Sequence, residues 1–296
     1  MTAATITLAP VAETASNRTV ATAALRRLGV SLAVVLSALV VLTVLWIVLL
    51  RAFDVSTFVG KTPMDVFNYL FTAKPTTRGV RATSLTAEAA RAQLLHAWVV
   101  TLGNAGIGFL TGMVVAILIA ASFVIIRPLE FAFMPIAMLL RSVPLVAMAP
   151  VLLLIFGQGK LGIATIGAIV VLFPVLVNLV LGLRSASPLS LDLIRANGGS
   201  NLKALMMVRV PSALPSLFAS IRISVPGAIV GAMLAEWLSG FTGLGGILND
   251  YKGRGNFTGV WAIVVVSVVT SIVGYAVAAV IESAALAAWG PNAGKR

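Results

Sequence analysis

Two charged side chains stand inside long apolar runs: Arg141, three residues before Pro144, and Glu236, ten residues after Pro226. A charge near the bilayer centre costs about 2.5–3.5 kcal/mol on insertion scales, so such a residue faces protein or a water-filled cavity. Arg141 and Glu236 are therefore candidates to border a path through a membrane. The plainer alternatives are a structural ion pair or a side chain snorkelling to the interface. Asn178, in another apolar run, could hydrogen-bond a solute or an adjacent helix. Pro144, Pro150 and Pro226 each remove a backbone donor and permit a bend, which a pivoting helix would use. The spacings Gly108/Gly112 and Gly227/Gly231 allow close helix approach, and packing is the reading they favour.

Other chemistry finds little support. With no cysteine and His96 as the single histidine, thiolate catalysis, disulfides and Cys-ligated metals are excluded, and a transition-metal site is argued against. No Ser-His-Asp arrangement and no pair of carboxylates within one span appears. A phosphate loop of the form G-x(4)-G-K-[ST] is also missing, so this chain does not itself cradle ATP phosphates. If ATP drives the protein, another subunit binds it. No catalytic residue, metal or cofactor is expected.

The elements that must hold these residues are membrane helices. Of 296 residues, 59% are hydrophobic and 10% charged, against about 45–50% and 25% in soluble domains. The net charge of +12 fits basic residues gathered beside spans, facing headgroups; nucleic acid is not an expected partner. A crossing needs about 20 apolar residues. Candidate spans are Leu28–Leu50, Leu94–Ile126, Leu129–Phe156, Leu161–Leu183, Leu217–Leu238 and Val260–Trp289. The first exceeds the 7–15-residue core of a signal peptide and reads as an uncleaved span. Residues 1–27 are small and polar and read as a disordered tail; 291–296 form a C-terminal tail. Between the first two spans, Arg51–Gln93 is polar. Its later part reads as an interfacial helix, capped by Ser84 or Thr86 with Glu88 in the first turn.

One insert breaks the apolar pattern, at 187–215: SPLSLDLIRANGGSNLKALMMVRVPSALP. Ser187-Pro188 is a helix start and Gly198-Gly199 a helix stop. Ser200 then caps a second short helix ended by Pro211. Neither is long enough to cross. Helices this short are marginal in water, so Leu189, Leu191, Leu193 and Ile194 call for a partner surface.

Here the residues carry a resemblance. Asp192-Leu193-Ile194, three residues, Gly198, nine residues, then Val208-Arg209-Val210-Pro211 resembles the signature E-A-A-x(3)-G-x(9)-I-x-L-P. That signature marks permeases of bacterial binding-protein-dependent ABC importers. Its spacing is intact; Asp192 stands for the glutamate, and Leu193 and Ile194 for the alanines. "LLRSVPLVAMAPVLLLIFGQG", "FPVLVNLVLGLRSASP" and "SIRISVPGAIVGAMLAEW" look like the nitrate/sulfonate/taurine branch, and the resemblance covers roughly 91–290.

That resemblance implies an all-α type I importer permease of about six spans. Residues 28–50 would be the first span, 51–90 an extracytoplasmic loop, and 91–290 the permease core, with 187–215 as its cytoplasmic coupling loop. Asp192, Leu193, Ile194, Arg195, Gly198, Val208 and Pro211 would contact a cytoplasmic ATPase. Further implied partners are a second permease copy or paralogue, an extracytoplasmic binding protein and the bilayer of the cytoplasmic membrane. ATPase docking also orients the chain, which the nearly even division of loop charges does not, and places both termini in the cytoplasm. The cargo would be a nitrate-, sulfonate- or taurine-like anion or a heteroaromatic vitamin or pyrimidine precursor. An ion-gradient carrier is the alternative, although such a carrier would show internal repeats and several intramembrane ionisable groups.

Overall fold

The structure is a computed structural model, and it describes residues 37, 39–72, 87–240 and 242–288. The expected tails at 1–27 and 291–296, the start of the first span, and the Ser84/Thr86 cap lie outside the described residues. Two compact units are found, Met1–Pro63 and Met64–Arg296. The first holds an apolar helix α1, Leu39–Ala52. Its chain reverses at Asp54, which takes φ 46.

The regular elements among the described residues of the second unit are helices. A short helix α2, Pro63–Phe71, precedes α3, Ala87–Ile125; α4, Arg127–Ser142, is followed by α5, Leu145–Phe156, and by α6, Lys160–Arg184. After them come α7, Pro188–Ala196, α8, Asn201–Ala204, and α9, Val210–Ser239; the chain closes with α10, Gly243–Gly253, and α11, Phe257–Ala288. Among the described residues four helices are long and apolar enough to cross a membrane, or five where the bent pair α4–α5 is one span. Within the first expected span, α1 is the described part.

At the centre of this unit α6 lies between α3 and α9. Val171, Val175, Leu176 and Val180 of α6 pack against Ala116 and Ala120 of α3 and Ala228 and Ala232 of α9. Small residues let the backbones approach. A Cβ on Gly112 would lie 2.5 Å from the Ala168 carbonyl oxygen, one on Gly108 3.0 Å from Gly167 Cα, and one on Gly231 3.2 Å from that same atom. Thus both glycine pairs pack against one small-residue stretch of α6, where dispersion between backbones replaces the hydrophobic driving force that lipid removes. Across the bundle, Trp98 Nε1 donates to Thr270 Oγ1 at 2.8 Å and ties α3 to α11.

Prolines behave unequally. Pro135, Pro150, Pro174, Pro215 and Pro226 all sit inside continuous helices. Pro144 does not: α4 and α5 meet there at 105°. A proline disfavours helical geometry in the residue before it, and Val143 is extended, with φ −73 and ψ 126. Ser142 Oγ donates to the Leu139 carbonyl at 2.6 Å and finishes α4. The third expected span is therefore a sharp corner.

A correction applies to the insert. Pro211 does not end a second short helix, because α8 runs through a π turn, Leu205–Arg209, directly into α9. Val210 N–H bonds the Leu205 carbonyl five residues back. This wider turn leaves space ahead of Pro211, whose ring would otherwise press on the carbonyl four residues earlier. The span expected from Leu217 accordingly starts much earlier, and one apolar helix runs from Asn201 to Ser239.

Candidate functional site

The signature segment occupies α7 and the turn after it. Pro188 opens α7, although the Ser187 side chain makes no cap bond; the Ser187 carbonyl accepts from Leu191 N–H at 3.1 Å instead. At the other end Gly198 takes φ 69, and Gly199 N–H closes the helix by donating to the Ile194 carbonyl at 2.8 Å. A side chain at Gly198 would meet open space, whereas one at Gly199 would fall on Ile194. Ser200 does cap α8, accepting from Lys203 N–H at 3.3 Å.

Leu189 and Leu193 stand one turn apart on α7 and are 80% and 64% exposed. Leu202, Met206 and Met207 carry further exposed apolar surface nearby. Asp192 and Arg195 face water beside them, 3.4 Å apart, a separation at which a surface pair contributes at most about 1 kcal/mol. Ile194, Val208 and Pro211 are half-buried. Arg209 Nη1 donates to the Leu183 carbonyl at 3.1 Å, anchoring the insert to the end of α6. The arrangement is a short helix at the edge of the bundle with an exposed apolar side. It is suited to insertion into a groove of another protein.

Glu236 sits elsewhere, on α9, with no exposed surface. Thr101 Oγ1 donates to its Oε2 at 2.7 Å and Asn104 Nδ2 to its Oε1 at 2.8 Å, both from α3. Gly245 N–H, from α10, donates to Oε2 at 3.1 Å. Thr101 Oγ1 in turn accepts from Leu244 N–H at 2.8 Å. Gly243, φ 70, is a position where a Cβ would fall on the Glu236 carboxylate itself. One residue of α9 thus holds α3 and the start of α10. Gly240, φ 76, ends α9 by donating to the Glu236 carbonyl at 2.8 Å. The far end of α10 is fixed by Tyr251, buried between α2 and α3; burial first, then the neighbouring Tyr69, pushes its phenol above the ordinary range.

Arg141 and Glu236 are not brought together. Arg141 is exposed in the last turn of α4, at the corner before Pro144, and makes no ion pair among the described residues. Asn178 is half-buried in α6 with no side-chain hydrogen bond among them. Sequence reasoning missed Thr101 and Asn104, two polar residues three apart in an apolar run, which is a visible if weak signal. It also missed an ion pair between two long helices: Arg222 Nη1 of α9 lies 3.1 Å from Glu282 Oε2 of α11, and the guanidinium lies 5.4 Å from the Tyr275 ring centroid.

Comparison with known proteins gives a consistent picture. Residues 108–286 match the family model described as binding-protein-dependent transport system inner membrane component. The chain is 33% identical over 148 residues to a probable ABC transporter permease protein of Haemophilus influenzae, covering 50% of this chain and 59% of that one. It is 33% identical over 128 residues to the riboflavin transport system permease protein RibX of Chloroflexus aurantiacus, covering 43% and 48%. Over 176 residues it is 29% identical to the formylaminopyrimidine transport permease protein ThiX of Halalkalibacterium halodurans, covering 60% and 70%. The chain thus spans about half the length of the first two relatives.

Proposed function

The chain belongs to the family of binding-protein-dependent transport system inner membrane components, and on that premise we propose that it forms the membrane path of an ABC importer. A cytoplasmic ATPase docks on α7, an extracytoplasmic binding protein delivers the solute, and a second permease copy or paralogue completes the path. The observation that carries this reading is α7 itself: a short helix opened by Pro188 and closed at Gly198–Gly199, with the intact Asp192–Gly198–Pro211 spacing and exposed Leu189 and Leu193. The apolar faces of α4 and α5 around the 105° corner suit the second copy. ATPase docking places 187–215, the N-terminal tail 1–27 and the tail 291–296 in the cytoplasm, with 51–90 outside.

For cargo, we favour a heteroaromatic vitamin or pyrimidine precursor over a nitrate- or sulfonate-like anion. The support is the named substrates of two relatives, riboflavin and formylaminopyrimidine. An ion-gradient carrier is not favoured, since the carboxylates Glu236 and Glu282 are each held by protein partners rather than forming a relay.

The test is co-expression with a candidate ATPase and reconstitution. Uptake should need ATP and stop with vanadate, and Leu193→Glu should abolish co-purification of the ATPase. Full burial of a leucine contributes about 1.5–3 kcal/mol, so the expected loss of affinity is at least tenfold. Uptake that persists without ATP and collapses with the proton gradient would favour the carrier. Because the chain has no native cysteine, Asn201→Cys reports orientation. An impermeant thiol reagent that labels it in intact cells would reverse the topology.

A further inference from the structure

Behind α7 lies a cavity of about 530 Å³ whose walls include Arg127, Arg184, Arg195 and Arg209. These arginines come from separate elements: the first turn of α4, the last turn of α6, the last turn of α7 and the π turn before α9. All four line this one cavity, Arg209 half-buried and the other three exposed. Two carboxylates answer them. Glu130 accepts from Arg184, and Asp192 lies 3.4 Å from Arg195 between exposed side chains. Arg127 has no acidic partner among the described residues, and Arg209 commits one N–H to the Leu183 carbonyl. Each guanidinium carries five N–H donors, so most donors in this cavity have no acceptor from the protein.

Like charges gathered around one cavity repel, and an anion bound there would offset the repulsion. The remaining walls say which kind. Val124 and Phe131 also line the cavity, and Phe131 is 76% exposed, so an apolar flank adjoins the basic one at the end of the spanning helix α3. Guanidinium matches phosphate geometry through paired N–H donors, and basic pockets between spans on the cytoplasmic side take phospholipid headgroups.

We propose that the open cavity lined by Arg127, Arg184, Arg195 and Arg209 is a phosphate-binding site, filled by the headgroup of an anionic phospholipid whose acyl chains lie along Val124 and Phe131. Such a lipid bridges the bundle (α4 and α6) to the coupling helix α7 and stiffens the link between them. The site depends on the proposed function only for which leaflet supplies the lipid, and its test uses the permease alone.

The permease is purified in neutral detergent and titrated with phosphatidylglycerol, phosphatidylcholine and sodium phosphate. Bound lipid is read by native mass spectrometry and by the thermal unfolding midpoint. Phosphatidylglycerol should bind saturably and raise the midpoint, while phosphatidylcholine should not. Arg127→Gln should weaken that binding about fivefold, which is ~1 kcal/mol per basic residue at an anionic surface. Lys160→Gln, the same charge change on an exposed residue at the opposite end of α6, should leave it unchanged. Protection by sodium phosphate, lost in Arg127→Gln, would assign the same site to a free phosphate. If Arg127→Gln does not accumulate, Arg195→Gln carries the same expectation. Equal behaviour of the arginine and lysine variants, or no preference for either phosphate source, overturns the proposal; so does an effect seen only when the ATPase is added.

Discussion

Thr101 and Glu236 are 135 residues apart in the chain and 2.7 Å apart in space. The hydroxyl gives its proton to the carboxylate and its lone pair to Leu244 N–H, so a single side chain serves two buried groups on two other helices. Thr101→Val keeps the shape and removes both bonds. Glu236 keeps its bonds from Asn104 and Gly245, but Leu244 N–H loses its acceptor; one orphaned buried group costs about 1–3 kcal/mol, and the thermal midpoint of the purified permease should drop accordingly. Gly243→Ala should be at least as damaging, because its Cβ falls on the same carboxylate at a left-handed position. Gly253→Ala, in the same helix with open space around it, should change little. Equal midpoints for the two alanine variants would show that α10 is not held through Glu236.

Close packing of α3 on α6 is checked at Gly112. A Cβ there would lie 2.5 Å from the Ala168 carbonyl oxygen, while one on Gly106 would meet nothing within 4 Å. Gly112→Val should destabilise the bundle by about 1–3 kcal/mol, the usual penalty for overpacking, and Gly106→Ala should be near neutral. Detergent-resistance assays or unfolding midpoints of the two variants read the difference.

Coupling is checked at Gly198. Its φ of 69 lies where a β-branched residue is strained by about 1–2 kcal/mol, and the space beyond its Cα is open. Gly198→Val should therefore leave the bundle intact while tilting the end of α7. Insertion and folding should be normal, with ATP hydrolysis no longer tied to uptake. Normal uptake together with unchanged stimulation of the ATPase would remove Gly198 from the coupling contact.

The limits of the sequence show at particular residues. α7 was legible because Pro188 and Gly198 are local signals that act on their own neighbours, and the glycine pairs were legible because one helical period connects them. The corner at Pro144 was read only as a bend, since a proline states that a helix is weakened and not how far the chain turns. The π turn before Pro211 was invisible: five ordinary residues, Leu205–Arg209, adopt it, and their types carry no signal that separates this turn from an α turn. Glu236 was visible as a charge in an apolar run. Its partners Thr101 and Asn104 were not, because no period links residues more than 130 positions apart.

Arg141 is where a path through the membrane is best tested. It is exposed at the end of α4, immediately before the 105° corner, and no carboxylate among the described residues pairs with it. Glu236, the other charge in an apolar run, is enclosed by three donors and offers no surface to a solute. The two residues should therefore separate experimentally. Arg141→Gln leaves α4 with a helix-compatible side chain of similar reach, so membrane insertion, the unfolding midpoint and ATPase association should match the parent. Uptake should fall about tenfold, the effect of losing one charge-assisted hydrogen bond of about 1.5 kcal/mol, and Arg141→Lys should recover part of it. Glu236→Gln should show the reverse order, with a lowered midpoint and unaltered uptake per assembled complex. An Arg141→Gln permease that assembles poorly yet transports normally per complex would make Arg141 a structural charge and leave the path to other residues of the corner.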